Sequence, residues 1–241
     1  MPYLTVQEIE RIAGRIVQAY RRYCVQQNQT VTRIDPEIVT SNVLGLQIAY
    51  HKLSRFGYVL GLTCMFPVEV KVFDDAEQPV YVPLDGKTVF IDESLRSEDA
   101  NAGRHNFTLM HEACHLVYGM LYPETYLGVR QRRVYYSLRS SQRSRTPDWE
   151  EWRTNMLASA VLMPKDLILQ YMQEYSLGKK MRMVNRIFAA RQYEAFSQIA
   201  DKMGVSKTAL VIRMKQLGLV DRNDLNNPYS LIDICCDETD R

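Results

Sequence analysis

Residues 107–119 read FTLMHEACHLVYG, and the reading of this stretch decides how the rest of the chain is understood. Phe107, Met110, Cys114 and Val117 recur three or four residues apart, the spacing of one apolar stripe on an α-helix. His111 and His115 are four apart, so one helical turn stacks both imidazoles on the same side. Glu112 lies about 100° round from His111 and can lean over the same cleft. Two imidazoles one turn apart can hold a tetrahedral zinc ion, and the adjacent carboxylate can take a proton from an activated water. The periodicity predicts a helix from about Asn101 to Gly119. Two surface histidines beside an ordinary glutamate would give the same short pattern, so a third ligand has to be found.

The whole chain sets the limits. Its 241 residues suit one good-sized domain, or one plus a small module. With 46% hydrophobic and 24% charged residues, the composition is that of an ordinary soluble globular protein. A net charge of +2 gives no general attraction to nucleic acid or membrane, so any basic surface must be local. No apolar run approaches bilayer length, and MPYLTVQEIERIAG is amphipathic without the apolar core of a signal peptide. The five cysteines, Cys24, Cys64, Cys114, Cys235 and Cys236, include no CxxC pair. That argues for a reducing, cytoplasmic setting and against a disulfide framework. Cys114, on the apolar stripe, reads as core filling rather than as a ligand.

Upstream, Thr5 and Glu8 form a capping box for a helix to about Asn28, with Ile9, Ile12, Ile16, Tyr20 and Tyr23 as its buried stripe. Asp35 followed by Pro36 starts a second helix that ends near Gly45. Period-two alternation follows at Leu46, Ile48 and Tyr50, at Val68, Val70 and Val72, and at Val80 and Val82. Asp85-Gly86 signals a tight turn, and Thr88 to Asp92 reads as another strand. A small sheet of three to five strands is therefore expected before the histidine helix.

The other histidines are His51 and His105, and the spacing HExxHxxGxxH is excluded because Tyr118 and Leu121 occupy its last two fixed positions. A carboxylate is the remaining choice of third ligand, best held on a helix. The next strong helix begins in TPDWEEWRTNMLASAVLMP, capped by Thr146 with Pro147 in the first turn, or by Asp148 with Glu151 in the box position. Glu151, Asn155 and Ala158 share a small, polar face, while Trp149, Trp152 and Met156 point elsewhere as core. Glu150 competes for the ligand role, and a first-turn glutamate is also common for dipole reasons alone. Spacing leaves that choice open.

Met120 to Arg145 carries Arg130, Arg132, Arg133, Arg139, Arg143 and Arg145, with no acid after Glu124. It reads as a solvated loop, or as a cleft border engaging an acidic stretch of a protein substrate. More helices are expected from Pro164 to about Arg191. In residues 191–222, Phe196, Ile199, Ala200 and Met203 form one stripe, Gly204-Val205-Ser206 a turn, and Leu210, Met214 and Leu217 the next stripe. This is a helix-turn-helix pattern in which Lys207, Arg213 and Lys215 could face phosphates. Six basic against three acidic residues is a weak electrostatic footprint, so a structural or protein-binding role is favoured over DNA binding. The division expected is 1–190, 191–222 and a polar tail, 223–241, frayed except at LIDICC.

Taken together, these residues resemble the ImmA/IrrE family of metallopeptidases. GLQIAYHKLSRFGYVLGLT is similar to the family's strand-and-turn region, and GRHNFTLMHEACH to its metal helix. EEWRTNMLASAVLMP resembles its second metal helix, and IADKMGVSKTALVIRMKQLGLV its helix-turn-helix module. The likeness covers most of residues 35–220. It implies an α+β, compact zincin-like fold with the small sheet packed on the HExxH helix, followed by the helical module. It also implies His111, His115 and Glu151 as zinc ligands and Glu112 as the base. The implied activity is cytoplasmic cleavage of helix-turn-helix repressors, relieving repression of mobile elements or stress genes. Cys114, Thr154 and Leu157 depart from the residues usual in the family at those places. The sequence does not identify the group that steadies the oxyanion; Tyr118 and Tyr122 are nearby tyrosines and nothing more. The contrasting reading is a regulatory protein that binds a repressor or DNA, its metal site structural or vestigial.

Overall fold

The computed structural model describes residues 4–96, 102–126, 134–138, 148–223 and 225, and the chain divides into two compact units, 1–162 and 163–241.

The first unit opens with α1 (Val6–Gln26). Its capping box forms: the Thr5 backbone N–H donates to Glu8 Oε2 at 2.8 Å, and the Glu8 N–H donates to Thr5 Oγ1 at 3.3 Å. Ile9, Ala13, Ile16, Val17, Tyr20 and Cys24 are its buried residues, and the helix packs on α5 (Trp149–Leu162). Asp35 caps α2 (Pro36–Ile38), which runs on as a π-helical turn, Val39–Val43. Five strands then precede the histidine helix: β1 (Gln47–His51), β2 (Val59–Cys64), β3 (Val68–Phe73), β4 (Pro79–Leu84) and β5 (Thr88–Asp92).

These strands do not make one sheet. β3 and β4 pair as an antiparallel hairpin of their own. β1 and β5 are parallel, β2 is antiparallel to β5, and the fourth member comes from after the histidine helix: β6 (Val134–Leu138), antiparallel to β2. The order is β1-β5-β2-β6. β2 is enclosed on both faces. Leu62 and Cys64 join Val70, Val72, Leu84 and Phe90 in the core beneath the hairpin. Gly61, one residue out of phase, faces α3 (Ala102–Leu121). A strand covered on both sides has no polar face, which is why VLGLTC shows no alternation.

α3 starts and ends within two residues of expectation, but a single apolar stripe does not describe it. Every residue from Thr108 to Gly119 is buried, because β2, β5, β6 and α5 pack around it. The arginine-rich segment is likewise not plain loop, since it holds α4 (Pro123–Tyr126) as well as β6. Its six arginines, and the possible cap Thr146-Pro147, lie outside the described residues. Asp148 does cap α5, accepting from the N–H groups of Glu150 (2.9 Å) and Glu151 (3.3 Å). Met156 is core as expected. Trp149 and Trp152 are not: they are 66% and 41% exposed and meet edge to face. They stand in the first turn of α5, away from the positions buried from Thr154 onward.

The second unit holds α6 (Lys165–Glu174), β7 (Met181–Val184), α7 (Ala190–Met203), α8 (Lys207–Gln216) and β8 (Val220–Asn223). β7 and β8 pair in parallel, where only helices were expected up to about Arg191. Four-residue strands are too short to show a period. Gly204, at φ 65°, ends α7 in the left-handed conformation that glycine adopts without strain, and the Ser206 hydroxyl caps α8. Arg213, one of three cations that could face phosphates, does not: it is buried, and its Nε donates to the Met163 carbonyl at 3.1 Å. The stretch LIDICC lies outside the described residues.

Candidate metal centre

α3 and α5 pack together and bring three groups to one point. His111 Nε2 lies 3.2 Å from His115 Nε2 and 3.2 Å from Glu151 Oε2, and His115 Nε2 lies 3.3 Å from Glu151 Oε1. Among the described residues, His111, His115 and Glu151 are the group of histidine, cysteine or carboxylate side chains placed to share a metal ion. Donors about 2.0–2.2 Å from a tetrahedral ion stand roughly 3.3–3.6 Å from one another. The observed spacings lie at or just below the short end of that range, and two imidazoles with one carboxylate suit zinc.

Charge fits the same use. Burial disfavours protonation of His111, but hydrogen bonding to Glu151 and the Glu112 and Glu151 charges outweigh it and raise its pKa. Glu151 is partly buried, which alone would push its carboxyl up; its contacts with His111 and His115 hold it well below the usual range instead. An anionic carboxylate beside two imidazoles is the state in which all three can bind a cation.

Glu112 is fully buried, and neither carboxylate oxygen makes a well-formed hydrogen bond, although Ser137 comes close enough to favour its charged form. Burial pushes its pKa up to about 7, against the pull of His111 and of Ser137 on β6. Gly61 makes the room. A Cβ there would lie 2.7 Å from Glu112 Cγ, 2.8 Å from Oε1 and 2.9 Å from Thr108 Cγ2.

The remaining candidates fall outside the cluster. Glu150 accepts from the Tyr135 hydroxyl at 2.6 Å. Cys114 is buried, and burial pushes its thiol pKa up, as befits core. His105 contacts the Tyr50 hydroxyl at 2.9 Å, and His51 packs on Phe90. Tyr118 is buried with its hydroxyl donating to the Arg153 carbonyl at 3.1 Å.

β6 supplies what sequence reasoning missed. Its register sets Tyr135 opposite Thr63 and Ser137 opposite Gly61, so both share the face of Gly61 toward α3. The Tyr135 ring accordingly stacks on His115, and Ser137 acts on Glu112. Thr154 was missed as well: its hydroxyl lies 3.4 Å from His115 Nδ1. Its position three residues after Glu151, on the same helix face, is the signal that could have found it. For Gly61 the signal is a glycine inside an apolar strand, which often marks close approach of a neighbour.

With that geometry in hand, the family comparison is direct. The Peptidase M78 family, described as the IrrE N-terminal-like domain, matches residues 68–215, more than half of the chain. The chain belongs to this family, and membership supports a metallopeptidase-type function. No curated protein matches the chain. No helix among the described residues is long and apolar enough to cross a membrane.

Proposed function

We propose that this protein is a zinc-dependent, cytoplasmic endopeptidase whose substrate is a helix-turn-helix transcriptional repressor, cleaved to relieve repression in a mobile element or stress response. The observation that carries the reading is a fully buried Glu112 carboxylate, without a well-formed hydrogen bond, beside three converging metal-type donors. An unpaired buried carboxyl is costly to keep, and a structural site has no need of one.

In this reading His111, His115 and Glu151 hold the metal. A zinc ion held there supplies a Lewis acid and lowers the pKa of a water. Glu112 would take a proton from that water and hand it to the leaving amine. Full burial of Glu112 keeps competing water from that carboxyl. The α7–α8 pair, read as a helix-turn-helix-like module, serves structure or protein binding. The burial of Arg213 removes one of the three cations a DNA-binding role would use.

Metal content of the purified protein tests the ligand set. At saturating zinc, about one zinc per chain is expected in the wild type and in Glu150→Ala, and none in Glu151→Ala. Glu112→Gln should keep the zinc and lose cleavage of a repressor substrate. If Glu112→Gln cuts at the wild-type rate, the proposed role of Glu112 is wrong.

A further inference from the structure

His115 is held from two sides by residues outside the ligand set. The Tyr135 ring lies over it, centroids 4.1 Å apart and planes 22° from parallel. The Tyr135 hydroxyl donates to Glu150 Oε1 at 2.6 Å, tying β6 to the first turn of α5. At the edge of the imidazole, Thr154 Oγ1 lies 3.4 Å from Nδ1 and 3.0 Å from the Glu150 carbonyl oxygen.

Proton counting gives this arrangement a direction. A threonine hydroxyl has one proton and two lone pairs, whereas a carbonyl oxygen only accepts. The shorter contact, to the Glu150 carbonyl, therefore takes the hydroxyl proton. What Thr154 offers His115 is a lone pair, which only an N–H on Nδ1 can meet. A neutral imidazole carries a single N–H. Placing it on Nδ1 leaves Nε2 with a lone pair, and Nε2 is the atom that faces His111 and Glu151. Thr154 is four residues after Glu150 and three after Glu151, so one face of α5 carries the anchor, the ligand and the orienting hydroxyl.

We propose that Tyr135, Glu150 and Thr154 form a preassembled clamp that fixes the ring orientation and tautomer of His115, so that Nε2 is presented to the metal. The three are positioning residues. Glu150 is the anchor of the clamp. The proposal rests on the metal site proposed above.

The test uses full-length protein and zinc itself. Thr154→Val keeps the side-chain shape and removes the acceptor, Thr154→Ser restores it, and Tyr135→Phe cuts the tie to Glu150. Groups that orient a metal-binding histidine are typically worth 10- to 100-fold in metal affinity. Competition with a chromophoric chelator should therefore show zinc binding about tenfold weaker in Thr154→Val and in Tyr135→Phe, with Thr154→Ser close to wild type. In zinc-free Glu151→Ala, where no carboxylate competes for a proton on Nε2, 15N chemical shifts of the neutral imidazole should report Nδ1–H at His115. Adding Thr154→Val to that variant should lose the preference, and adding Thr154→Ser should keep it. Zinc affinity within twofold of wild type in Thr154→Val, or an Nε2–H tautomer in zinc-free Glu151→Ala, overturns the clamp. If instead Glu151→Ala binds zinc like wild type, the metal-site reading is what fails. The tautomer of that variant without zinc still decides the clamp in that case.

Discussion

Two regions bury polar side chains and treat them in opposite ways. In the second unit, Arg213 donates to the Met163 carbonyl, and Asn185 Oδ1 accepts from the N–H groups of Ile187 (2.8 Å) and Phe188 (2.9 Å). In the first unit, Glu112 is equally buried, and its carboxylate makes no well-formed hydrogen bond. The Thr40 and Thr63 hydroxyls are also unpartnered, but a neutral hydroxyl costs much less to bury than a charge. A satisfied buried group needs only a structural explanation. An unsatisfied ionisable one, next to three converging donors, is what the proposed catalytic role of Glu112 would explain.

The largest expected effect tests the unsatisfied side of this contrast. Because the folded-state pKa of Glu112 is raised from 4.5 to about 7, the folded protein keeps a proton that the unfolded chain releases. Its contribution to stability is therefore best below about pH 4, declines as pH rises through 7, and stays low above that. Glu151 has the opposite sign: its carboxyl is held low when folded, so its contribution is lost as pH falls. Comparing wild type with Glu112→Gln isolates the first effect. In zinc-free protein, Glu112→Gln should gain on the order of 3 kcal/mol over wild type at pH 8, and little at pH 4, by urea unfolding. A Glu112→Gln variant that is less stable than wild type at pH 8 breaks the contrast.

The satisfied side predicts a loss. Arg213→Met keeps much of the aliphatic volume but strips the Met163 carbonyl of its donor, which should cost about 1–3 kcal/mol in unfolding free energy. No loss would mean that the arginine is dispensable to the unit.

The smallest effect sharpens how Glu112 is housed. Gly61→Ala should cost about 1–3 kcal/mol, because the added methyl meets the closely packed Glu112 and Thr108 side chains. Gly119→Ala meets a shorter contact, 2.5 Å to Met65 Sδ, yet should cost less. A methionine thioether can swing aside, and alanine gains about 0.5–1 kcal/mol over glycine inside a helix. Equal losses in thermal or urea melts would show that the space beside Glu112 is not special.

Much of the site was legible in the chain. Four-residue spacing put His111 and His115 on one side of a helix, the Thr5–Glu8 and Asp35-Pro36 signals marked helix starts, and Asp148 marked the start of α5. Glu151 could be narrowed to one of two adjacent glutamates, and family resemblance separated them. β2 was hard to read because enclosure on both faces erased its alternation, and β6 because five residues sat inside an arginine-rich run. The two tryptophans misled because side-chain type suggests burial without deciding it.

What the sequence determined by itself is local: helical phase, caps, and the chemistry of the donors at positions 111, 112, 115 and 151. These follow from interactions among residues within a turn or two of each other. What only the tertiary structure decided is which distant groups meet them. β6 reaches α3 through its register with β2, Gly61 opens space for a carboxylate about fifty residues later, and Glu150 binds Tyr135 while Glu151 faces the histidines. Such pairings depend on strand order and helix rotation set by the whole core, and no local pattern encodes them.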